Sequence, residues 1–425
     1  MRTIAKVNIW GMAAGTVCWD EKVGYAVFQY DPAFAEKGIE IAPAMMPLSD
    51  RIYSFAELGR YAFKGLPGMI ADSIPDDYGN MLIDMRNRRS GIDPNSFTSI
   101  DRLCYVGRRG MGALEYEPAY EQDFWIERVD VDNLSALALK AFGEKKGKHA
   151  DLSEEEMNML LSTGTSAGGT RAKAVVVLDR IDGEIVSGQF SHSEKYADWL
   201  IKFDMEGERK QGLCRVEHAY YKMALDCGIS KSECRLLETK KGTHFITERF
   251  DRIGGEKVHI QTLNAMAHYD FTDPAVHSYE QLFSLMKKIG LPAADVDEMF
   301  LRAVFNVITV NNDDHTKNIA FMLRKGGEWR LTPAYDITYA YNPENKWIRA
   351  HQLTVNGKAS SITKDDLSAL AQYAGICGAE DKIEKVLAVS DKWEEYAKDS
   401  SVPDATAGKI NASLEENRNL FLSRR

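Results

Sequence analysis

Asn311-Asn312-Asp313-Asp314-His315-Thr316-Lys317-Asn318, followed by Pro333-Ala334-Tyr335-Asp336, is the stretch that organises the reading of this chain. An apolar pattern leads into it. Met299, Phe300, Ala303, Val304, Val307 and Ile308 recur at steps of three and four, which predicts one buried helix face. The polar cluster therefore closes a core element, where a rigid scaffold can aim it. Two carboxylates, an amide and a histidine at such a position suit a divalent cation and a phosphate. Amide and carboxylate oxygens are the ligands that a hard cation takes.

Bulk properties narrow the class. The 425 residues allow two or three domains, with 44% hydrophobic and 27% charged residues, an ordinary globular composition. The net charge of −10, from 53 basic and 63 acidic side chains, argues against independent DNA binding, which favours a basic stripe. No apolar run is long enough for a membrane helix, and Met1–Trp10 alternates like a strand instead of forming a leader core. Cys18, Cys104, Cys214, Cys227, Cys234 and Cys377 are scattered without a Cys-x-x-Cys, which predicts reduced thiols in a cytoplasmic protein.

The order of elements predicts an α/β accessory domain over residues 1–125, a β-rich lobe over 126–265 and a mainly helical lobe over 266–425. Thr3–Trp10 and Gly24–Tyr30 read as strands; Phe55–Phe63 and Tyr78–Asn87 read as helices. Gly107, Gly110 and Gly112 read as a tight packing loop, because no helix start follows them as it would in a phosphate loop. Gly143–Leu152 reads as an exposed connection, and Ser153 with Glu156 as a helix-starting capping box. Beyond it, Ala174–Leu178, a turn at Asp182-Gly183 and Glu184–Phe190 predict a hairpin. Trp199, Ile201 and Phe203 share a strand face, Leu213–Cys227 is helical and Thr243–Phe250 strand-like. The pattern is mainly helical from about Ser278, including Thr363–Tyr373 behind a second capping box.

Four constellations could carry chemistry. Thr163–Lys173 is rich in glycine, whose backbone N–H groups can nest a phosphate. It is neither Gly-x-Gly-x-x-Gly nor a Walker loop, and an ordinary loop is the competing reading. Lys202, in a strand, faces either solvent or nucleotide phosphates, and Glu217 either water or that lysine. Glu248-Arg249-Phe250 leaves a strand, as a surface charge run or as backbone partners for adenine. In the opening cluster, Asp313 and Asn318 are five residues apart and Asp336 follows eighteen after Asn318. Protein kinases place their catalytic Asp and metal-binding Asn at that five-residue step, with a later acid on magnesium. A calcium loop fails in either register, since Asn318 or Ile319 stands where glycine is needed. One histidine is too few for zinc.

These motifs together resemble the HipA-like serine/threonine kinases, toxins of bacterial type II toxin–antitoxin pairs. Leu66-Pro67-Gly68-Met69-Ile70-Ala71-Asp72-Ser73-Ile74-Pro75-Asp76 and Gly107–Pro118 resemble the family's N-terminal signatures. Ser166–Lys173 resembles its glycine loop. Asp313-Asp314-His315-Thr316-Lys317-Asn318 and Leu331–Asp336 resemble its catalytic and metal motifs. The resemblance implies an α+β, bilobal, protein-kinase-like (PI3/PI4-kinase-like) fold and a kinase using ATP and Mg2+. It implies Asp313 as catalytic residue and Asn318 with Asp336 as metal ligands. It implies nucleotide contacts from Gly168, Gly169, Thr170, Arg171, Ala172, Lys173, Lys202, Glu248, Arg249, Phe250, His315, Lys317 and Tyr335, with Glu217 orienting Lys202. It implies autophosphorylation at Ser166, a HipB-like helix-turn-helix antitoxin, DNA met only through that antitoxin, and a protein substrate such as an aminoacyl-tRNA synthetase. Two alternatives stay open: a small-molecule kinase on the same scaffold, and a nucleotide-binding co-repressor. Asp314 departs from the glycine that is frequent there and has no assigned role.

Overall fold

The computed structural model describes residues 2–120, 128–144, 152–164, 171–187, 195–205 and 209–423. Two compact units form: Met1–Met205 with Leu237–Gln261 and Leu323–Gly327, and Glu206–Leu236 with Thr262–Met322 and Glu328–Arg425.

Among its described residues, the first unit carries two larger sheets and the two-stranded pair of Arg252–Ile253 with Glu256–Lys257. Strands β1 (Ile4–Ile9), β2 (Met12–Asp20), β3 (Tyr25–Tyr30), β4 (Tyr53–Ser54) and β5 (Leu114–Glu117) pair antiparallel in the order β4-β3-β2-β1-β5. Alternation sets the faces: Ala5, Val7 and Ile9 are buried while Ile4 and Lys6 are exposed. Trp10 and Gly11 join β1 to β2 with φ of 50° and 76°, a two-residue turn whose twist suits a hairpin. The expected helix over Phe55–Phe63 shrinks to one turn, Arg60–Phe63, behind Gly59. The helix Asp77–Arg89 forms as expected, capped by Asp76, whose side chain accepts from the Gly79 N–H at 3.0 Å.

In the second sheet, β6 (Lys173–Asp179) lies between β7 (Ile185–Ser187) and β8 (Tyr196–Lys202), and β8 pairs with the strand Thr243–Glu248, all antiparallel. Ala174 to Val177 are buried without alternation, as befits a strand covered on both faces. The helices Val131–Glu144 and Glu154–Gly164 contribute Leu134, Leu137, Met157 and Leu160 to a core that also holds Trp199, Ile201 and Phe203. Ser153 and Glu156 form the expected reciprocal cap. Tyr78, Leu82 and Ile83 of the helix Asp77–Arg89 belong to the same core. Residues expected as two separate domains thus share one interior; the expected boundary at 125 and 126 lies outside the described residues, as does 188–190 of the expected return strand.

The second unit is built on the helix Ala293–Ile308, buried continuously from Met299 to Ile308. Leu213–Cys227, Tyr279–Lys288, Lys364–Ala374, Ala379–Ser390, Trp393–Asp399 and Asp404–Ser423 complete its longer helices. The expected run of helix after Ser278 is interrupted: no α-helix lies between Thr309 and Thr363. That interval carries the candidate site. None of the helices is long and apolar enough to cross a membrane among the described residues.

Candidate functional site

The chain leaves the buried helix Ala293–Ile308 through Val310, whose φ of 57° turns it sharply, and then runs extended. Alternation now sorts the cluster. Asn312, Asp314 and Thr316 are buried; Asp313, His315 and Lys317 are half-exposed.

The inward residues are anchors. Asn312 donates from its backbone to Ala340 O (3.1 Å) and from Nδ2 to Ile348 O (3.2 Å). Thr316 Oγ1 donates to Tyr269 O at 2.8 Å. Asp314 accepts from the Tyr279 hydroxyl (2.8 Å) and the Gln352 N–H (2.7 Å), and its Oδ2 lies 3.0 Å from His351 Nδ1.

The outward residues contact one another and the second motif. Asn318 Nδ2 donates to Asp313 O at 2.7 Å, closing the loop on itself. That leaves its amide oxygen as the group it can offer a cation. His315 Nε2 lies 3.7 Å from Asp313 Oδ1. The Lys317 ammonium sits 4.7 Å from the Phe271 ring centroid, a cation–π contact. The Tyr335 hydroxyl donates to Lys317 O at 2.7 Å and so ties the two sequence motifs together.

Asp336 has φ of 51°, in the left-handed region that few non-glycine residues enter and that aspartate enters more readily than most. Three contacts hold the segment that leads to it. Asp295 accepts from the Leu331 N–H at 2.7 Å, Arg302 donates to Thr332 O at 2.8 Å, and the Ala334 N–H donates to Ser230 O at 2.8 Å. Among the described residues no three His, Cys, Asp or Glu cluster as a protein-only metal cage. One amide oxygen and one carboxylate fit a magnesium ion whose other ligands are waters and phosphates.

The remaining candidates lie in the first unit, except Glu217. Lys202 ends β8 and is buried, its ammonium 5.7 Å from the Phe245 ring centroid, so it is not a solvent-facing strand lysine. Glu217, on the helix Leu213–Cys227 of the second unit, is 3% exposed, which excludes a solvated glutamate. Lys173 opens β6, but its ammonium lies 3.5 Å from Asp76 Oδ2. Its side chain is engaged by a carboxylate of the N-terminal signature, a pairing the sequence reading missed. Ala172 is buried and its carbonyl accepts from the Phe203 N–H at 3.2 Å; Arg171 is half-buried. Ser166, Gly168, Gly169 and Thr170 lie outside the described residues.

Glu248 ends its strand and meets Arg180 at 3.1 Å. Arg249 is no exposed charge: it is buried, and its guanidinium donates to both oxygens of Asp251 at 2.9 and 2.8 Å. Phe250 is half-exposed beside it. Asp251 also accepts from the Gly112 N–H at 2.8 Å, while Arg252 donates to Gly110 O and Gly112 O. The Gly107–Gly112 loop thus receives a carboxylate of its own chain, in agreement with the packing reading. Burial alone would raise the pKa of Asp251, but Arg249 and Arg252 outweigh it and hold this carboxyl well below the usual range.

The fold is a mixed α/β one in two units, with a carboxylate–amide loop in the second. It is the fold of HipA from a Shewanella oneidensis MR-1 toxin–antitoxin system, solved with HipB and operator DNA: TM-score 0.68 at 15% identity, over 99% of this chain and 97% of that one. Residues 5–117 match the HipA N-terminal domain and residues 165–401 the HipA-like C-terminal domain, so the chain belongs to the HipA-like family. Two Sinorhizobium fredii proteins, both named as candidate kinases, are relatives. Y4dM is 25% identical over 237 residues, half of this chain and 56% of its own length; Y4mE is 23% identical over 67% of this chain and 68% of its own. The match to the first of these spans little more than half of that protein.

Proposed function

We propose that the chain is a HipA-like toxin acting as an ATP- and magnesium-dependent serine/threonine protein kinase on a bilobal, kinase-like scaffold. The observation that carries this is the pairing of Asp313 and Asn318 with Asp336 in one unit, their motifs joined by the Tyr335–Lys317 bond. Phosphoryl transfer asks a protein mainly for positioning and charge neutralisation, and this loop is built for both.

Asp313 accepts the proton of the attacking serine hydroxyl, whose oxygen bonds to the γ-phosphorus as the bond to the bridging oxygen breaks and ADP leaves. Asn318 and Asp336 hold magnesium, which when bound offsets phosphate charge. Lys202 supplies a second positive charge. His315, Lys317 and Tyr335 contact the nucleotide; the loop through Gly168, Gly169 and Thr170 cradles phosphates by its backbone. Lys173, paired with Asp76, is not assigned a phosphate. The Glu248–Phe250 segment meets adenine through backbone groups, since the Arg249 side chain is occupied by Asp251.

The substrate is a host protein, an aminoacyl-tRNA synthetase by family resemblance, and its phosphorylation arrests growth. A HipB-like helix-turn-helix antitoxin neutralises the toxin and brings it to DNA. Ser166 is the autophosphorylation site. A phosphoryl group there adds about −1.5 to −2 charges and repels the nucleotide phosphates.

Transfer from radiolabelled ATP to the chain itself or to a lysate protein tests the reading. Asp313→Gln and Asp336→Ala should each lower it by about a hundredfold or more, about 3 kcal/mol of transition-state stabilisation. Undiminished transfer in both variants would sink the assignment.

A further inference from the structure

Asp314 stands one residue from Asp313, yet its carboxylate faces the interior with its side chain fully buried. Both oxygens are in use: Oδ2 by the Tyr279 hydroxyl and His351 Nδ1, Oδ1 by the Gln352 N–H. A carboxylate so enclosed has no path to a cation at the loop's outer face. It also costs too much to bury unless its donors are held in place.

The bonds continue as a circuit. The Tyr279 hydroxyl accepts from Asn306 Nδ2 at 3.0 Å, and Asn306 Oδ1 accepts from Asn311 Nδ2 at 2.8 Å. Asn311 lies three residues before Asp314, so the circuit leaves the loop and returns to it. Asp313 sits inside the span that it fixes. One anchor is Tyr279, first residue of the helix Tyr279–Lys288; another is Asn306 of the buried helix Ala293–Ile308. Gln352, the third, is itself held where the Ala275 N–H donates to its carbonyl at 2.9 Å.

We infer that Asp314 is a positioning residue: it is not a metal ligand, and it fixes the direction of the Asp313 carboxylate by locking the loop to Tyr279, His351 and Gln352. The inference rests on the phosphotransfer reading of Asp313 for its effect on rate, and on the hydrogen-bond circuit alone for its effect on the loop.

The test has a kinetic and a structural arm. Asp314→Ala should lower kcat for phosphotransfer about a hundredfold, the order expected for an ångström of misplacement, and leave KM for ATP and the Mg2+ half-saturation within about threefold. Asp314→Asn should keep kcat within about tenfold of wild type, because its oxygen still accepts from Gln352 while Tyr279 and His351 can turn to accept from its amide. Tyr279→Phe, which deletes one hydroxyl, should lower kcat modestly and add nothing further in the Asp314→Ala background. In the structural arm, backbone amides of residues 312–317 should exchange at least about tenfold faster in Asp314→Ala than in wild type. A raised Mg2+ requirement in both Asp314 variants would mark a metal ligand and overturn the inference. Unchanged exchange would overturn it too, whether or not the wild type transfers phosphate. Faster exchange in a variant of a wild type that transfers no phosphate would leave the anchoring intact and overturn the kinase reading instead.

Discussion

The Lys173 ammonium lies 3.5 Å from Asp76 Oδ2, and both side chains are largely buried, 4% and 12% exposed. Asp76 caps the helix Asp77–Arg89 and Lys173 starts β6 directly after the glycine-rich segment, so the pair joins the N-terminal signature to the strand that the segment feeds. Burial raises the pKa of Asp76, and the attraction of Lys173 offsets this only in part. Lys173→Met should therefore destabilise the chain by up to about 3 kcal/mol at pH 7, because an ionised Asp76 is left without its cation. The sign with pH follows from the raised pKa. The variant's penalty should shrink as pH falls and Asp76 protonates, since a neutral acid needs no partner. Urea unfolding at pH 7 and pH 5 measures this; a penalty that grew on acidification would contradict the pairing.

Covalent spacing made Asp313, Asn318 and Asp336 readable from sequence, because a five-residue step and a following acid survive any folding detail. The helix Leu213–Cys227 and the caps at Ser153 and Thr363 were legible for a similar reason: their signals are local. Asp314 was not, since its partners stand 35, 37 and 38 residues away and nothing local announces them. Its clue was alternation, but with polar residues on both sides of the loop a hydrophobic pattern could not display it. The partner of Gly112 was hidden for the same reason, since it stands 139 residues away, whereas that of Arg249 is only two residues on. Both meet the carboxylate of Asp251, and the burial of the Arg249–Asp251 pair was not legible because ion pairing inside a core leaves no hydropathy signature.

Asp251 supports a second stability experiment. It is fully buried between two guanidiniums and the Gly112 N–H. Asp251→Asn keeps the volume and removes the charge, leaving two buried cations unpaired, at a cost of about 3–5 kcal/mol. Its folded-state pKa is lowered, so its contribution is fully present above the ordinary value of 3.8 and is lost as pH falls below it. The gap between wild type and variant should be constant from pH 7 to pH 5 and narrow below about pH 4, as followed by denaturant midpoints.

Asn318 offers the sharpest separation of geometry from charge. Its Nδ2 donates to Asp313 O at 2.7 Å, so one side chain both offers its oxygen outward and braces the backbone of the catalytic candidate. Asn318→Asp keeps an oxygen for a cation, even adding charge, but sets a carboxylate oxygen against the Asp313 carbonyl. Acceptor against acceptor cannot bond, and the loop must open there. Asn318→Ala loses both functions. If the brace matters as much as the ligand, Asn318→Asp should bind Mg2+–ATP at least as tightly as wild type and still lose about tenfold to a hundredfold in kcat, whereas Asn318→Ala should lose in both affinity and rate. Nucleotide titration by calorimetry beside single-turnover transfer reads the two apart. An Asn318→Asp variant with wild-type kcat would show that the Asp313 carbonyl needs no brace, and that Asn318 serves only the cation.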